Sequence, residues 1–370
     1  MNISSMNIST ILSSDLIDDK NTNVSIIMNP FASAASATAA AGAAAAASAA
    51  SAAGAAAAAG AAAATATATA AAADSDDMYS IPSTIPPVQS TLTSAVRSLG
   101  SGQDHVIGTK DLMNPSTGEM FDLLEVYDGH GGDTCIDAIK AMPTTQIIQD
   151  FAHPEVEIQH RLSANPRVSI GSGATFACAK IYKNRVECRT VGDSQIVVFV
   201  NDEIRYTSPL HDWNNLDERI RIKKRIGRIP TPMRDSCPEL LSSTALTMEP
   251  SWRLNWGPSV IIVPTQTLGH HNVTGLEAAT CTIEFTAADR VVVIAATDGV
   301  WDVMSPKFDE DKERFLTMTA EQIAQVAVDR WNQEWDFHPY PKDLGKDVSK
   351  EIFPDKDDVG IIRGTYGSKL

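Results

Sequence analysis

Asp128, Gly129 and His130 follow directly on the apolar run Phe121–Tyr127, and Gly131 and Gly132 come next. The group combines a carboxylate, an imidazole and a backbone free to turn tightly. Carboxylate oxygens suit hard divalent cations, which take oxygen ligands and keep several waters. An imidazole suits proton transfer by a group titrating near neutrality. Three more acidic places lie at ends of apolar strands further along: Asp193 in Val-Gly-Asp-Ser, Asp298 with Asp302 in Ala-Thr-Asp-Gly-Val-Trp-Asp, and Asp357 in Asp-Lys-Asp-Asp-Val-Gly-Ile-Ile. Singly, Asp128-Gly129 and Asp298-Gly299 read as strand-ending turns. Collected in one chain, they point to a metal site.

The elements that must position these groups are legible from periodicity. Phe121–Tyr127 reads as a buried strand. Thr134–Met142 carries apolar residues at helical spacing and is interrupted by Pro143. Ala174–Tyr182 and Arg185–Val191 flank Lys183-Asn184 as a hairpin, and Gln195–Val200 and Glu203–Thr207 flank Asn201-Asp202 as another. Arg290–Ala296 is a continuous apolar run, Val359–Ile362 a last short strand, and Leu216–Ile226 and Ala320–Trp331 read as helices. Mostly antiparallel strands with helices outside imply an α+β layered domain.

Composition bounds what surrounds that domain. A formal charge of −16 over 370 residues argues against a nucleic-acid partner, since phosphate backbones demand clustered Lys and Arg. The odd set Cys135, Cys178, Cys188, Cys237 and Cys281 has no Cys-x-x-Cys pairing, so free thiols in a reducing compartment are expected. No secretory signal is evident, which leads to a cytoplasmic protein. From Phe31 to Ala73 the chain is almost wholly Ala with Ser, Thr and Gly. Ala buries too little surface for a membrane span, so a disordered, solvated tail is expected. Ser80–Ser90, with Pro82, Pro86 and Pro87, reads as an extended linker. Residues 1–92 are therefore assigned to tail and linker, and 93–370 to the folded domain.

The ordered set of acidic sites resembles the metal-dependent serine/threonine phosphatases of the protein phosphatase 2C type, from about Ala95 to the C-terminal end. Gly171-Ser-Gly-Ala-Thr175 is similar to the family's Gly-Ser-Thr-Ala strand start, and Val191-Gly-Asp-Ser194 to its Gly-Asp-Ser-Arg turn. The resemblance implies a four-layer α-β-β-α sandwich of two mostly antiparallel sheets flanked by helices, with metals at one end. It also implies a monomer, with no membrane association, acting on a phosphorylated protein. In that family two Mg²⁺ or Mn²⁺ ions, roughly 3.5–4 Å apart, clamp the phosphoryl group and activate water.

By that resemblance Asp128 bridges both metals, the Gly129 carbonyl completes one shell, and Asp298 and Asp357 hold the first ion. Asp104 contacts the second through water, Asp193 and Asp302 match the pair that holds a third, weaker ion, and His130 protonates the leaving Ser or Thr oxygen. The chain also departs from the family. Gln103 stands where Glu is usual, Leu99 where the phosphate-gripping Arg lies, and Arg97 is the nearest substitute. Thr265-Gln-Thr-Leu-Gly-His270 lacks the Arg of Arg-x-x-Gly-Asp and ends in His. Two readings follow: an active phosphatase, or a pseudophosphatase serving as an interaction or structural module.

Elsewhere the plainer readings are expected. His270-His271 reads as a loop pair rather than a metal dyad, and Arg219–Arg228 as an amphipathic helix with a solvated basic face. Phe308–Phe315 reads as charged surface. Thr231–Pro264, with Trp252 and Trp256, matches the variable flap beside the family's active site.

Overall fold

The computed structural model describes residues 90–226, 264–338, 349–353 and 356–367, together with three short strands at 237–239, 254–257 and 260–262. The Ala-rich segment, Trp252 and most of the expected flap lie outside the described residues. The chain divides into Met1–Pro82 and Ser83–Leu370, and the second unit carries every element below.

Two five-stranded antiparallel sheets form its centre. One runs in the order β1 (Thr91–Arg97), β18 (Val359–Tyr366), β15 (Val291–Ala296), β8 (Gln195–Val200), β9 (Glu203–Thr207). The other runs β14 (Ala279–Glu284), β7 (Arg185–Val191), β6 (Phe176–Ile181), β3 (Met120–Tyr127), β2 (His105–Met113). The run Val291–Ala296 is apolar throughout because both of its faces are covered. Val292, Ile294 and Ala296 pack outward with Phe315, Ile323 and Trp331, while Val291, Val293 and Ala295, with Ile196 of the neighbouring strand, pack inward against Leu124 and Val126 of the facing sheet. On β3 the same alternation sends Phe121, Leu123 and Tyr127 towards a third cluster with Ile136, Ile147 and Ile158. Four layers result, helix–sheet–sheet–helix, as the family resemblance implied.

One outer layer holds α1 (Thr134–Lys140), α2 (Thr144–Asp150) and α3 (Pro154–Ala164). On the far side of the fold are α6 (Asp309–Thr317) and α7 (Ala320–Trp331), the latter begun by a Thr319/Gln322 capping box. Between them in sequence come α4 (Leu216–Ile226) and the single turn α5 (Asp298–Trp301).

Three local expectations change. The last strand, expected over Val359–Ile362, continues through Arg363 and Gly364 to Tyr366. Arg363 is tolerated in the core because Nε and Nη2 donate to the Phe315 and Leu316 carbonyls at 3.1 and 2.7 Å. Phe308–Phe315 is not plain surface: Phe315 and Asp311 are both fully buried. Asp311 is compensated there by Arg330 at 2.6 Å, Arg314 at 3.0 Å and the Ser305 amide at 2.9 Å. The basic face of α4 is not wholly solvated. Arg221 grips Glu218 at 2.9 Å and donates to the Thr265 and Thr274 carbonyls, both at 2.7 Å, while Ile222 is buried and Ile220 exposed.

Candidate metal centre

Strand ends converge at one end of the sandwich. β3 runs into Asp128, β15 into Asp298, and Asp357 stands just before β18; Asp193 sits in the β7–β8 turn and Asp104 before β2. The two Gly-rich motifs meet here. Thr175 donates its amide to the Asp128 carbonyl at 2.8 Å and accepts the Asp128 amide on Oγ1 at 3.1 Å. The same Oγ1 lies 2.6 Å from Ser194 Oγ, so the Asp128 and Asp193 turns are pinned together. Gly192 is required in that turn: its φ is +99°, and a Cβ would stand 2.8 Å from Thr175 Cβ.

Asp128, Asp193 and Asp298 offer carboxylate oxygens that all lie within 4.8 Å of one another. Such crowding is unfavourable for charged groups, and each carboxyl titrates high. Burial first, then the charge of Asp298, raises Asp128 well above the carboxylate range. Burial lifts Asp298 to about 7, with Asp193 adding to it, although hydrogen bonds with Asp128 and Asp357 act the other way. Burial lifts Asp193 to about 7 as well, aided by Asp212. Asp357 rises to about 8 through burial and Asp298, and Asp302 rises through burial and then Asp298, Asp357 and Asp193. Asp298 Oδ1 is buried without a hydrogen-bond partner. An oxygen-only donor set with an orphaned acceptor and mutually repelling carboxylates fits a hard divalent cation.

The remaining expected residues fall in distinct places. Asp104 is buried, its Oδ2 accepting from Thr297 Oγ1 at 2.9 Å, and it titrates high through burial against that bond. Gly129 opens the two-residue strand β4 (Gly129–His130), which pairs with β5 (Gly173–Ala174); a Cβ on it would stand 2.9 Å from Gln103 Cβ. Asp357 and Asp358 face different tasks. Asp357 bonds to Asp298, whereas Asp358 accepts the amides of Leu99, Gly100 and Gln103 at 2.8–2.9 Å and Ser101 Oγ at 3.1 Å. Burial works against that carboxylate, but its hydrogen bonds hold it below the usual range. Arg97 is not brought to the acidic group; it ends β1 in an ion pair with Glu321 of α7. Gln103 instead donates to Asp133 Oδ1 at 2.5 Å.

His130 keeps only a partly exposed edge. Burial, then the neighbouring His270, push its imidazole down to about 3, against a hydrogen bond with the Asp128 backbone. This departs from a ring titrating near neutrality, because desolvation disfavours the imidazolium. Its Nε2 lies 3.2 Å from Thr267 Oγ1. His270 and His271 do diverge: the first places Nδ1 on the Ile170 carbonyl at 2.7 Å, the second places Nε2 on the Val168 carbonyl at 3.1 Å.

Several residues at the site were not singled out by sequence. Thr297 precedes Asp298 directly, and its adjacency to a metal-site candidate was a usable signal. Asp212 acts on Asp193 from a loop with no distinguishing pattern. Thr267 reaches His130 from a segment far along the chain; His270, read from sequence as a departure from the family and as half of a loop pair, was singled out, but only the fold brings it to His130.

Comparison with known proteins gives a consistent picture. The family model for protein phosphatase 2C matches residues 100–308, more than half of the chain. A probable protein phosphatase 2C 56 from Oryza sativa subsp. japonica is 24% identical over 198 residues, covering 49% of this chain and 50% of its own. The chain thus spans about half the length of that curated relative. Among solved structures, a C. elegans sex-determining protein aligns with TM-score 0.48 and 16% identity, over 75% of this chain and 64% of that one. The Mycobacterium tuberculosis serine/threonine phosphatase PstP/Ppp aligns with TM-score 0.41 and 15% identity, over 76% and 99%.

Proposed function

Because the chain belongs to the protein phosphatase 2C family, we propose that it hydrolyses phosphoserine and phosphothreonine in proteins by a cation-activated water. The observation that supports this most is the meeting of Asp128, Asp193 and Asp298 at the sandwich end, their oxygens within 4.8 Å. When bound, Mg²⁺ or Mn²⁺ at such a site withdraws charge from the phosphoryl oxygens and makes hydroxide available at neutral pH.

The residues of the chain then divide the work. Asp128, with the Gly129 carbonyl, Asp298 and Asp357, would hold two ions, Asp104 would orient water on the second, and Asp193 with Asp302 would complete a third, weaker site. Thr175 and Ser194 keep Asp128 and Asp193 in place, and Thr297 does so for Asp104. His130 would deliver a proton to the leaving alkoxide. A bound phosphoryl dianion would favour the protonated ring, against the burial that lowers its proton affinity.

The test is hydrolysis of a phosphoserine peptide and of nitrophenyl phosphate by the purified chain. Activity should require Mn²⁺ or Mg²⁺ and vanish in excess chelator. Reagents directed at a catalytic thiol should have no effect, since Cys135 and Cys178 are buried with thiols pushed up to about 12. Asp128→Asn should abolish turnover of both substrates together with metal binding. Full activity in chelator would overturn the reading. The pseudophosphatase reading keeps one supporting observation, the engagement of Arg97 by Glu321 rather than by the acidic group; cation binding without hydrolysis of either substrate would select it.

A further inference from the structure

Two side chains from the segment around β13 (Leu268–Gly269) close on His130. Thr267 is fully buried, and its Oγ1 lies 2.9 Å from the Leu268 carbonyl, 3.0 Å from the Ala174 carbonyl and 3.2 Å from His130 Nε2. A hydroxyl has one proton, and two carbonyls compete for it at shorter range. What remains for the imidazole is an oxygen lone pair, which a hydrogen on Nε2 would fill, although the ring's bond to the Asp128 backbone competes for that hydrogen.

His270 completes the enclosure. It is fully buried, its Nδ1 donates to the Ile170 carbonyl at 2.7 Å, and its Nε2 is a buried lone pair without a partner. The two rings stack at 5.1 Å with planes 28° apart. This placement is held against local preference: His270, His271 and Asn272 have φ of +43°, +47° and +59°, a left-handed run that L-residues adopt at a cost. It also needs the bare backbone of Gly173, where a Cβ would stand 2.3 Å from His270 Nε2 and 2.8 Å from His130 Nε2.

We propose that Thr267 is a positioning residue for His130, fixing the proton on Nε2 while the His270 ring behind it sets the plane of the imidazole. The proposal rests on the reading of His130 as proton donor, and it concerns residues that depart from the family's Arg-x-x-Gly-Asp segment.

Thr267→Val removes the oxygen and keeps the shape. In the full chain, loaded with Mg²⁺, it should lower turnover of a phosphoserine peptide about 3- to 10-fold, the range for one lost hydrogen bond. Nitrophenyl phosphate, whose leaving group is stable as an anion, should be turned over nearly as before, and cation affinity by calorimetry should not change. Thr267→Ser should restore the ratio between the two substrates. Nitrogen-15 shifts of His130 should show a protonated Nε2 in the wild type and a mixture of tautomers in Thr267→Val. The proposal is overturned if both substrates slow equally, if Ser does not restore the ratio, or if wild-type Nε2 carries no hydrogen. If Thr267→Val does not fold, the wild-type shifts and the Ser variant still decide. His130→Ala measured alongside separates the two levels. Equal losses on both substrates there would sink the donor reading itself, whereas a selective loss with an unchanged ratio in Thr267→Val would sink only the role of Thr267.

Discussion

Replacing Asp298 by Asn should stabilise the protein in chelator and cripple it in metal. The Asp298 carboxyl titrates near 7 in the fold against 3.8 for the free group, through burial and then Asp193. The folded state therefore holds a proton that the unfolded chain has released, and stability falls as pH rises between about 4 and 7. At 1.36 kcal/mol per unit, a shift of about three units amounts to about 4 kcal/mol at pH 8, on the order of an upper bound because its neighbours share the same protons. Asn keeps the shape, cannot ionise, and can donate to Asp128 and Asp357. In urea unfolding at pH 8 with chelator, Asp298→Asn should thus gain roughly 2–4 kcal/mol over wild type. At pH 4, where the wild-type carboxyl is protonated, the gain should nearly vanish. Mn²⁺ at a thousandfold excess over Kd should cancel or reverse that advantage, because wild type then gains about 4.1 kcal/mol and the variant loses a ligand. A variant no more stable than wild type at pH 8 in chelator would refute the reasoning. So would a gain equal at both pH values, which would mean a packing effect rather than relief of charge.

Other perturbations test single supports of the site. Gly173→Ala places a methyl against both imidazoles; it should cost about 1–3 kcal/mol as overpacking, read by thermal melting, and a variant as stable as wild type would show that the ring pair is loosely held. Asp358→Ala removes the acceptor of three amides and a hydroxyl in the 99–103 loop. Hydrogen exchange of those amides should rise sharply, with stability down about 1–2 kcal/mol after allowance for the group's exposure. Deleting residues 1–90, which precede β1 at Thr91, should leave the urea midpoint and any hydrolysis nearly unchanged; failure of residues 91–370 to fold where the whole chain does would move the boundary.

The layered architecture was legible because it rests on short-range pattern. Strands such as Val291–Ala296 and the two hairpins announce themselves by runs of apolar residues broken at turn formers, and α7 by its helical spacing. The acidic positions were legible for a related reason: each lies at or beside the end of an apolar strand, where a carboxylate can meet others at one edge of a sandwich. Which residues surround them was not. Asp357 and Asp358 are neighbours of one type, and only the fold turns one towards Asp298 and the other onto the amides of a loop that starts near Leu99. Arg97 lay close in sequence to the expected phosphate grip, yet Glu321 of a distant helix claims it. Asp311 looked like surface and is core, and Arg363 extends the last strand into the core, because their partners, the side chain of Arg330 and the end of α6, come from other elements. His130 by itself is a ring of ordinary basicity. Its burial, the ring of His270 and the oxygen of Thr267 arrive from more than a hundred residues away. Local sequence thus determined which groups are present and on which elements. Desolvation and hydrogen bonding, which set the proton affinity and direction of those groups, depend on what packs against them, and that was decided only by tertiary structure.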